Sequence, residues 1–231
     1  MKTDSIVIFC GGEGTRIKNL TKNCPKILID ISGKPFLYHL LKIFKKNKIK
    51  NIYLLTKYKS KQIENYIKNF KSFNFFILKD GNKKLGTGGS LKKNLKHLPD
   101  YFFLTYGDSY LNINYSFLRD KLTNSNKSII SIYRNKQKIY KNNILLKEKK
   151  IIKYDKTKNY NYIDYGLFLF KKKDITPIKI KKKTFDLSMY LDFIIKKGDI
   201  EYIISKKKFQ ECGSYDGIEK IKKILDRSKN T

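Results

Sequence analysis

The chain has 231 residues, enough for one domain with a substantial core, which excludes a peptide or a disulfide-stapled mini-protein. It carries 52 Lys and Arg against 20 Asp and Glu, a formal net charge of +32 that by itself favours a nucleic-acid-binding protein. Lysine supplies 48 of these positive charges and arginine supplies four. Among the apolar residues, valine occurs once, and alanine and tryptophan do not occur. We attribute most of the charge to an A/T-rich coding bias and not to a polyanionic ligand.

The rest of the composition predicts a folded protein of a reducing compartment. Hydrophobic residues make up 40% of the chain and aromatic residues 14%, unlike a disordered polycation. Three cysteines, Cys10, Cys24 and Cys212, form neither a CxxC pair nor a disulfide framework. No apolar run suits a signal peptide or approaches the roughly 18 residues that span a bilayer. We expect a cytoplasmic protein without membrane contact.

The first half of the chain alternates short apolar runs with longer segments of helical spacing. The predicted strands are 5–10, 51–56, 73–79 and 101–106, and the predicted helices are 35–46, 60–70 and 90–97. Such alternation favours parallel strands joined by right-handed crossovers, and sheets of this kind place ligands at the carboxyl ends of their strands. Two glycine-rich loops and Asp108 fall at those ends.

The second half follows a different pattern. Short strand candidates at 128–133, 143–146, 151–154 and 165–170 follow one another without strong helices between them, which favours antiparallel additions to the sheet. A helix at 185–196, a strand at 201–205 and a helix at 215–227 end the chain. The sequence therefore predicts an α/β fold with a mostly parallel central sheet and antiparallel additions in its second half.

The loop after the first strand, Gly-Gly-Glu-Gly-Thr-Arg at 11–16, has the features of an anion site. Glycines allow a close backbone approach and expose amide hydrogens to phosphate oxygens. The loop lacks the third glycine of a dinucleotide fingerprint and the GK[ST] of a Walker A loop. Arg16 adds a permanently charged fork, and Lys26, after Pro25, is near enough in sequence to return to the same place.

This loop, followed by Pro25-Lys26 and by Gly-Lys-Pro-Phe at 33–36, resembles the opening signature of the sugar-1-phosphate nucleotidylyltransferases, or NDP-sugar pyrophosphorylases. Four later segments follow in that family's order: LGTGG at 85–89, YGDS at 106–109, YDK at 154–156 and FQECGS at 209–214. The small mannose- and D-glycero-D-manno-heptose-1-phosphate guanylyltransferases are the most similar members. The resemblance implies a Rossmann-like three-layer sandwich and a single nucleotidyltransferase domain over 1–231, with a nucleotide-binding half (1–110) and a sugar-phosphate-binding half (111–231).

The resemblance also implies site residues. Arg16 is similar to the arginine that holds the β- and γ-phosphates, Lys26 to the lysine that neutralises the α-phosphate, and Asp108 to a Mg²⁺ ligand; these are the expected catalytic residues. Mg²⁺ is the implied cofactor, and it prefers such oxygen ligands. The expected nucleotide-binding residues are Gly11, Gly12, Gly14, Thr15, Gly86, Thr87 and Gly88.

Two positions depart from the family's pattern. Glu211 stands where a second metal-binding aspartate is usual, and Asp155 stands where a sugar-contacting glutamate is usual. Glu211 is still expected to bind the metal with Asp108. Asp155, Lys156 and Gly166 are expected to bind the sugar phosphate.

The resemblance implies transfer of a nucleotidyl group from an NTP, with GTP favoured, to a mannose- or heptose-type sugar 1-phosphate. The products would be an NDP-sugar, a precursor of cell-surface polysaccharide, and pyrophosphate. Thymidylyl, uridylyl or cytidylyl transfer to another sugar 1-phosphate, or to a phosphorylated alcohol such as choline phosphate, remains an alternative.

Two alternatives of other classes also stay open. A nucleic-acid-binding protein would cluster its basic residues with aromatics on one face, whereas lysines here punctuate every segment. A catalytically inactive regulatory relative would lose charged site residues, but Arg16, Lys26 and Asp108 are all present. We therefore expect an NTP and a sugar 1-phosphate as partners, no nucleic acid and no membrane, and a monomer or homodimer.

Overall fold

The computed structural model of the protein describes residues 3–12, 14–135 and 141–227, so Glu13 of the glycine loop lies outside the described residues. The strands are β1 (Ser5–Phe9), β2 (Asp30–Ile31), β3 (Lys34–Pro35), β4 (Asn51–Thr56), β5 (Asn74–Lys79), β6 (Tyr101–Tyr106), β7 (Ser109–Tyr110), β8 (Ser128–Tyr133), β9 (Ile144–Lys147), β10 (Lys150–Tyr154), β11 (Ile163–Lys171), β12 (Ile200–Ser205) and β13 (Gln210–Glu211). The α-helices are α1 (Lys18–Thr21), α2 (Phe36–Lys46), α3 (Ser60–Ile67), α4 (Gly86–Asn94), α5 (Ser116–Ser125), α6 (Lys172–Ile175), α7 (Ser188–Lys197) and α8 (Tyr215–Arg227).

Seven strands form the central sheet in the order β12-β8-β11-β6-β1-β4-β5. Only β11 runs antiparallel to its neighbours, and every other pair in this sheet is parallel. The prediction of a mostly parallel sheet with antiparallel additions in the second half is confirmed. The additions are fewer than the strand run suggested, because β8 and β12 join the sheet in parallel while β9 and β10 form a separate antiparallel pair.

Helices cover both faces of this sheet and give three layers. Along β1 the side chains of Ile6 and Ile8 pack into one apolar cluster and Val7 packs into the other, as alternation in a strand requires. The first cluster takes buried residues from α2, α3, α5 and α8, and the second takes them from α4, α6 and α7. A sheet buried on both faces explains why its strands read as nearly continuous apolar runs.

One edge of the sheet collects the polar loops. The carboxyl ends of the parallel strands β1, β4, β5 and β6 meet there. Because β11 is antiparallel and Leu167 pairs with Thr105, the first residues of β11 lie beside the last residues of β6. The pairing of β11 with β8 is irregular between Asp164 and Phe168, where Gly166 has a φ of 84°. The loops after β6 and β12 join at the same edge through the short pair β7 and β13.

Three helices, α1, α5 and α6, were not predicted, and α4 begins earlier than predicted. Helix α5 was not predicted, because it buries only Leu118 and Leu122 while Phe117 points outward, which leaves a weak apolar period. Helix α4 begins at Gly86 and not at residue 90. Glycines disfavour helix interiors, but the amides of Gly88 and Gly89 donate to the Phe185 carbonyl, a tertiary contact that no local pattern indicates.

Asn47, at the carboxyl end of α2, ties this helix to the segment that leads from β7 into α5. Its Nδ2 donates to the carbonyls of Ile43 (3.0 Å) and Ile113 (3.1 Å), and its Oδ1 accepts from the Tyr115 amide (2.8 Å). The Asn47 side chain is buried. If it is removed, the carbonyls of Ile43 and Ile113 and the amide of Tyr115 therefore have little access to water as a replacement partner.

We therefore expect Asn47→Ala to lower the free energy of unfolding by about 2–4 kcal/mol, as measured by urea denaturation. The matched control is Asn74→Ala, which removes an exposed amide bonded to Asn51 and should change stability by less than about 0.5 kcal/mol. Equal losses in the two variants would contradict the role given to Asn47.

Candidate active site

A cavity of about 280 Å³ lies between the loop after β1 and the start of α4. It draws only on residues of the first half of the chain: Phe9, Gly11, Gly12, Gly14, Thr15, Leu55, Lys57, Asp80, Lys84, Leu85, Gly86, Thr87 and Ser90. Six of the seven predicted nucleotide-binding residues are among them. The exception is Gly88, which packs against the ring of Phe185 behind the cavity wall.

The loop at the start of α4 requires glycine for two reasons. Gly86 has a φ of 71°, which side chains rarely adopt, and a Cβ there would collide with the Phe185 carbonyl. A Cβ on Gly89 would lie 2.5 Å from the carbonyl oxygen of Lys183. The loop is thereby pressed against the segment that precedes α7, and the amide of Phe185 returns a hydrogen bond to Leu85.

Asp80 follows β5 and lines the same cavity, although the sequence analysis did not single it out. Its Oδ1 accepts hydrogen bonds from Ser90 Oγ (2.8 Å) and Asn94 Nδ2 (3.1 Å). Partial burial raises the pKa of this carboxyl, against the effect of these two bonds. Its Oδ2 faces Gly11, 3.8 Å from where a Cβ of that glycine would be. The cavity thus contains a fixed carboxylate with one oxygen held by α4.

A second chamber of about 160 Å³ continues the first, since both are lined by Phe9, Gly12 and Thr87. Its central feature is an ion pair between Lys26 Nζ and Asp108 Oδ2 at 3.0 Å, with side chains 17% and 26% exposed. These residues are 82 positions apart in sequence. The fold therefore brings together two of the three predicted catalytic residues.

The third, Arg16, meets Glu211 at the other side of Asp108. Pairing of β13 with β7 sets Glu211 opposite Ser109, and the Cys212 amide donates to the Asp108 carbonyl at 2.8 Å. Arg16 Nη2 lies 3.9 Å from Glu211 Oε2. The Glu211 carboxylate is held by the Gly213 amide and by Ser214 Oγ, each at 2.6 Å.

Gly213 shows how closely these groups converge. A Cβ at this position would lie 2.5 Å from Glu211 Oε2, 2.9 Å from Arg16 Nη2 and 3.3 Å from Asp108 Oδ2. Two carboxylates and a guanidinium therefore share one small space, and only a residue without a side chain leaves it open.

The two carboxylates suit a hard cation but do not enclose one. Within the described ranges, no three His, Cys, Asp or Glu side chains group as metal ligands. Glu211 Oε2 and Asp108 Oδ2 lie 2.5 Å and 3.3 Å from the position that a Cβ of Gly213 would take, so the two carboxylates are close to one another. Mg²⁺ binds in this manner, through one or two carboxylates with water and substrate phosphates completing its shell.

A third chamber of about 280 Å³ adjoins the second through Tyr106 and Asp108 and takes residues from both halves of the chain. Its lining includes the predicted residues Arg16, Asp108, Lys156, Gly166 and Glu211, together with Ser109, Asn143, Tyr154, Ile163, Asp164, Tyr165 and Phe209. Asp155 is not among them. Its Oδ1 accepts from the amide (2.8 Å) and Oγ1 (2.6 Å) of Thr157, and these bonds lower its pKa.

This chamber also contains the carboxylate of Asp164, to which the sequence analysis assigned no role. Its Oδ1 accepts from the Gly166 amide (2.6 Å), and its Oδ2 accepts from the hydroxyls of Tyr154 (3.0 Å) and Tyr106 (3.4 Å). Burial raises the pKa of Asp164, against the effect of these bonds. Burial and the neighbouring Asp164 charge also raise the pKa of both tyrosines well above its ordinary value.

Outside the cleft, His39 is buried, and its Nε2 lies 2.8 Å from the Ile31 carbonyl. In the part of the chain that the structure describes, no helix combines the length and apolar character needed to cross a membrane.

Several curated proteins are similar in sequence to this chain. The D-glycero-alpha-D-manno-heptose 1-phosphate guanylyltransferase of Campylobacter jejuni is 36% identical over 115 residues, 49% of this chain and 51% of that protein. The bifunctional protein GlmU of Methanocaldococcus jannaschii is 28% identical over 234 residues, 96% of this chain and 54% of that protein. A probable glucose-1-phosphate cytidylyltransferase of Bacillus subtilis is 31% identical over 130 residues, 47% of this chain and 51% of that protein. The chain spans about half the length of the curated relatives it matches.

Solved structures share the fold. HddC from Yersinia pseudotuberculosis, complexed with GMP-PN, superposes with a TM-score of 0.79 at 25% identity over 96% of this chain and 100% of that one. A putative glucose-1-phosphate thymidylyltransferase from Bacillus anthracis reaches 0.84 at 17% identity, over 95% and 94% of the two chains, and supports the fold alone. The Nucleotidyl transferase family profile matches residues 5–210. Because this match covers most of the sequence, from β1 to the start of β13, the chain belongs to the nucleotidyl transferase family.

Proposed function

We propose that this chain transfers a nucleotidyl group from an NTP to a sugar 1-phosphate and releases pyrophosphate. The observation that carries the proposal is the position of the Lys26–Asp108 pair, between a glycine-lined cavity and a chamber that contains Lys156. The cavity suits a nucleoside triphosphate, because its backbone amides and the side chains of Lys57 and Lys84 can face phosphate. The chamber offers a cation for a second phosphate beside carboxylate and amide groups suited to sugar hydroxyls.

The reaction joins two anions, so charge compensation is its main requirement. An oxygen of the sugar phosphate forms a bond to the α-phosphorus while the bond from the α-phosphorus to the pyrophosphate oxygen breaks. The attacking phosphate is already ionised, and no protein nucleophile is needed. The Lys26 ammonium can exchange Asp108 for an oxygen of the α-phosphate, and the largely exposed Arg16 can follow the leaving pyrophosphate.

We further propose that Asp108 and Glu211 hold Mg²⁺ through their carboxylate oxygens. When bound, Mg²⁺ would offset the repulsion between the two phosphates. The hydrogen bonds from Gly213 and Ser214 hold the Glu211 carboxylate at this place, which offsets the different length of its side chain.

For the substrates we propose GTP and a mannose- or heptose-type sugar 1-phosphate. Asp80 supports guanine as the base, because a carboxylate can accept hydrogen bonds from the two adjacent N–H donors of guanine. Uracil and thymine instead present one ring N–H between two carbonyls. The heptose-phosphate guanylyltransferase of C. jejuni and the GMP-PN complex of HddC support the same choice. The product would then be a GDP-sugar for cell-surface polysaccharide, made in the cytoplasm.

The test is pyrophosphate release by the purified chain with Mg²⁺, each of GTP, CTP, UTP, dTTP and ATP, and a panel of sugar 1-phosphates with choline phosphate added. We expect the highest kcat/KM with GTP and a manno-configured sugar 1-phosphate. Turnover with CTP or dTTP would replace the guanylyl assignment by one of its alternatives. No release with any pair, while a known family member turns over, would refute the activity.

We expect Lys26→Ala and Asp108→Asn each to lower kcat about 10²- to 10³-fold, because each removes a charged group from the reacting phosphates. The matched controls are Lys22→Ala and Asp100→Asn, which make the same charge changes at exposed positions away from the cleft. Steady-state kinetics would check the effect, and circular dichroism would check the fold. Near-normal rates for Lys26→Ala or Asp108→Asn would remove those residues from the site.

We expect Asp80→Asn to lower kcat/KM for GTP about 10- to 100-fold relative to the other NTPs. The reason is that the NH2 group of Asn can face the N–H donors of guanine, so that two donors oppose one another. The carbonyl of Asn can still accept from Ser90, so α4 keeps its contact. The measured quantity is the GTP-to-CTP ratio of kcat/KM, because a merely structural loss lowers both values together. An unchanged ratio would exclude Asp80 from base selection.

A further inference from the structure

Lys156, the predicted sugar-phosphate lysine, forms an ion pair with Asp186. Its Nζ lies 2.8 Å and 3.0 Å from the two carboxylate oxygens of Asp186, which precedes α7. Both side chains remain nearly half exposed, 47% for Lys156 and 43% for Asp186. The lysine is therefore held in one orientation yet accessible from the chamber.

The same carboxylate reaches the nucleotide-binding loop. Thr87 Oγ1 donates to Asp186 Oδ2 at 3.2 Å and accepts from the Leu187 amide at 2.8 Å. Thr87 lines both the glycine-rich cavity and the chamber that contains Lys26. Asp186 is thus connected to the nucleotide cavity by the hydrogen bond from Thr87 and to the sugar-phosphate chamber by the ion pair with Lys156.

The backbone around this carboxylate is also held by bonds that do not involve it. The Phe185 carbonyl accepts from the amides of Gly88 (3.0 Å) and Gly89 (3.1 Å), and the Phe185 amide donates to Leu85. These bonds hold the segment before α7 against the glycine loop. The carboxylate adds a bond from the Ser188 amide at 2.9 Å, so a substitution that keeps an acceptor at residue 186 leaves this frame in place.

The electrostatics favour an ionised Asp186. Partial burial opposes its charge, but the hydrogen bond and the charge of Lys156, together with the bonds from Ser188, outweigh that effect and lower its pKa. An unpaired lysine side chain samples many rotamers, so the ion pair with Asp186 reduces the number of orientations that Lys156 samples.

We infer that Asp186 is a positioning residue that couples the two substrate sites, so that a nucleotide ordering Thr87 also sets Lys156 for the incoming sugar phosphate. The inference rests on the proposed function and deepens it. Its direct consequence is that a bound nucleotide tightens the binding of sugar 1-phosphate, and that this gain depends on the carboxylate of residue 186.

The test compares Asp186→Asn with wild type in steady-state kinetics and in calorimetric binding of mannose 1-phosphate, with and without a non-hydrolysable GTP analogue. Asparagine keeps an acceptor for the Ser188 amide and can donate from Nδ2 to Thr87 Oγ1, but it loses the charge that holds Lys156. We expect KM for the sugar phosphate to rise about tenfold with KM for GTP nearly unchanged, and the gain in affinity from the analogue to disappear. Asp186→Glu should restore part of both effects.

Asp192→Asn is the matched control, because Asp192 lies on α7 and forms an ion pair with Lys196 at 2.8 Å outside the cleft. A double-mutant cycle with Lys156→Met adds a second readout: if Asp186 acts through Lys156, Asp186→Asn has no further effect in that background. An unchanged KM for the sugar phosphate, equal losses in kcat/KM for both substrates, or full additivity of Asp186→Asn and Lys156→Met would overturn the inference. Wild-type turnover would then leave the proposed function intact. Absence of wild-type turnover would instead reject the function itself.

Discussion

The direction of the strands is the constraint on which the site depends. Six strands of the central sheet run the same way, so the loops after β1, β4, β5 and β6 open at one edge, and the single reversed strand β11 brings its beginning to that edge. Groups far apart in sequence meet there without any long loop. The β7 and β13 pair then fixes the second carboxylate beside the first, because Glu211 is placed by its register with Ser109.

The proposed reaction depends chiefly on the charged groups that this fold brings together. Three cations of the cleft each face a carboxylate: Arg16 faces Glu211, Lys26 faces Asp108 and Lys156 faces Asp186. Each pair is partly exposed, so a phosphate oxygen can replace the carboxylate at Arg16 or Lys26 and can approach Lys156 beside Asp186. The site therefore has its cations oriented before a substrate arrives, and the cost of arranging them is met during folding.

Sequence patterns were sufficient for the framework and for much of the site. The apolar runs located the main strands, as in 51–56 and 101–106, because a buried strand is apolar over its length. Family motifs brought Arg16, Lys26 and Asp108 into one hypothesis, and the fold places them together. Asp80 and Asp186 were missed as site residues because their surroundings are tertiary: Asp186 meets partners 30 and 99 residues away, which no local spacing reveals.

The pairing of cations with carboxylates also bears on selectivity inside a cell. A chain with a net charge of +32 attracts polyanions of every kind, including nucleic acids. A ligand that enters this cleft competes with the carboxylates that face Arg16 and Lys26 and must fit beside Asp186 at Lys156, inside chambers of about 160 and 280 Å³. With the proposed function, the internal acids would favour small phosphate esters over longer polyanions, even though the surface is rich in lysine.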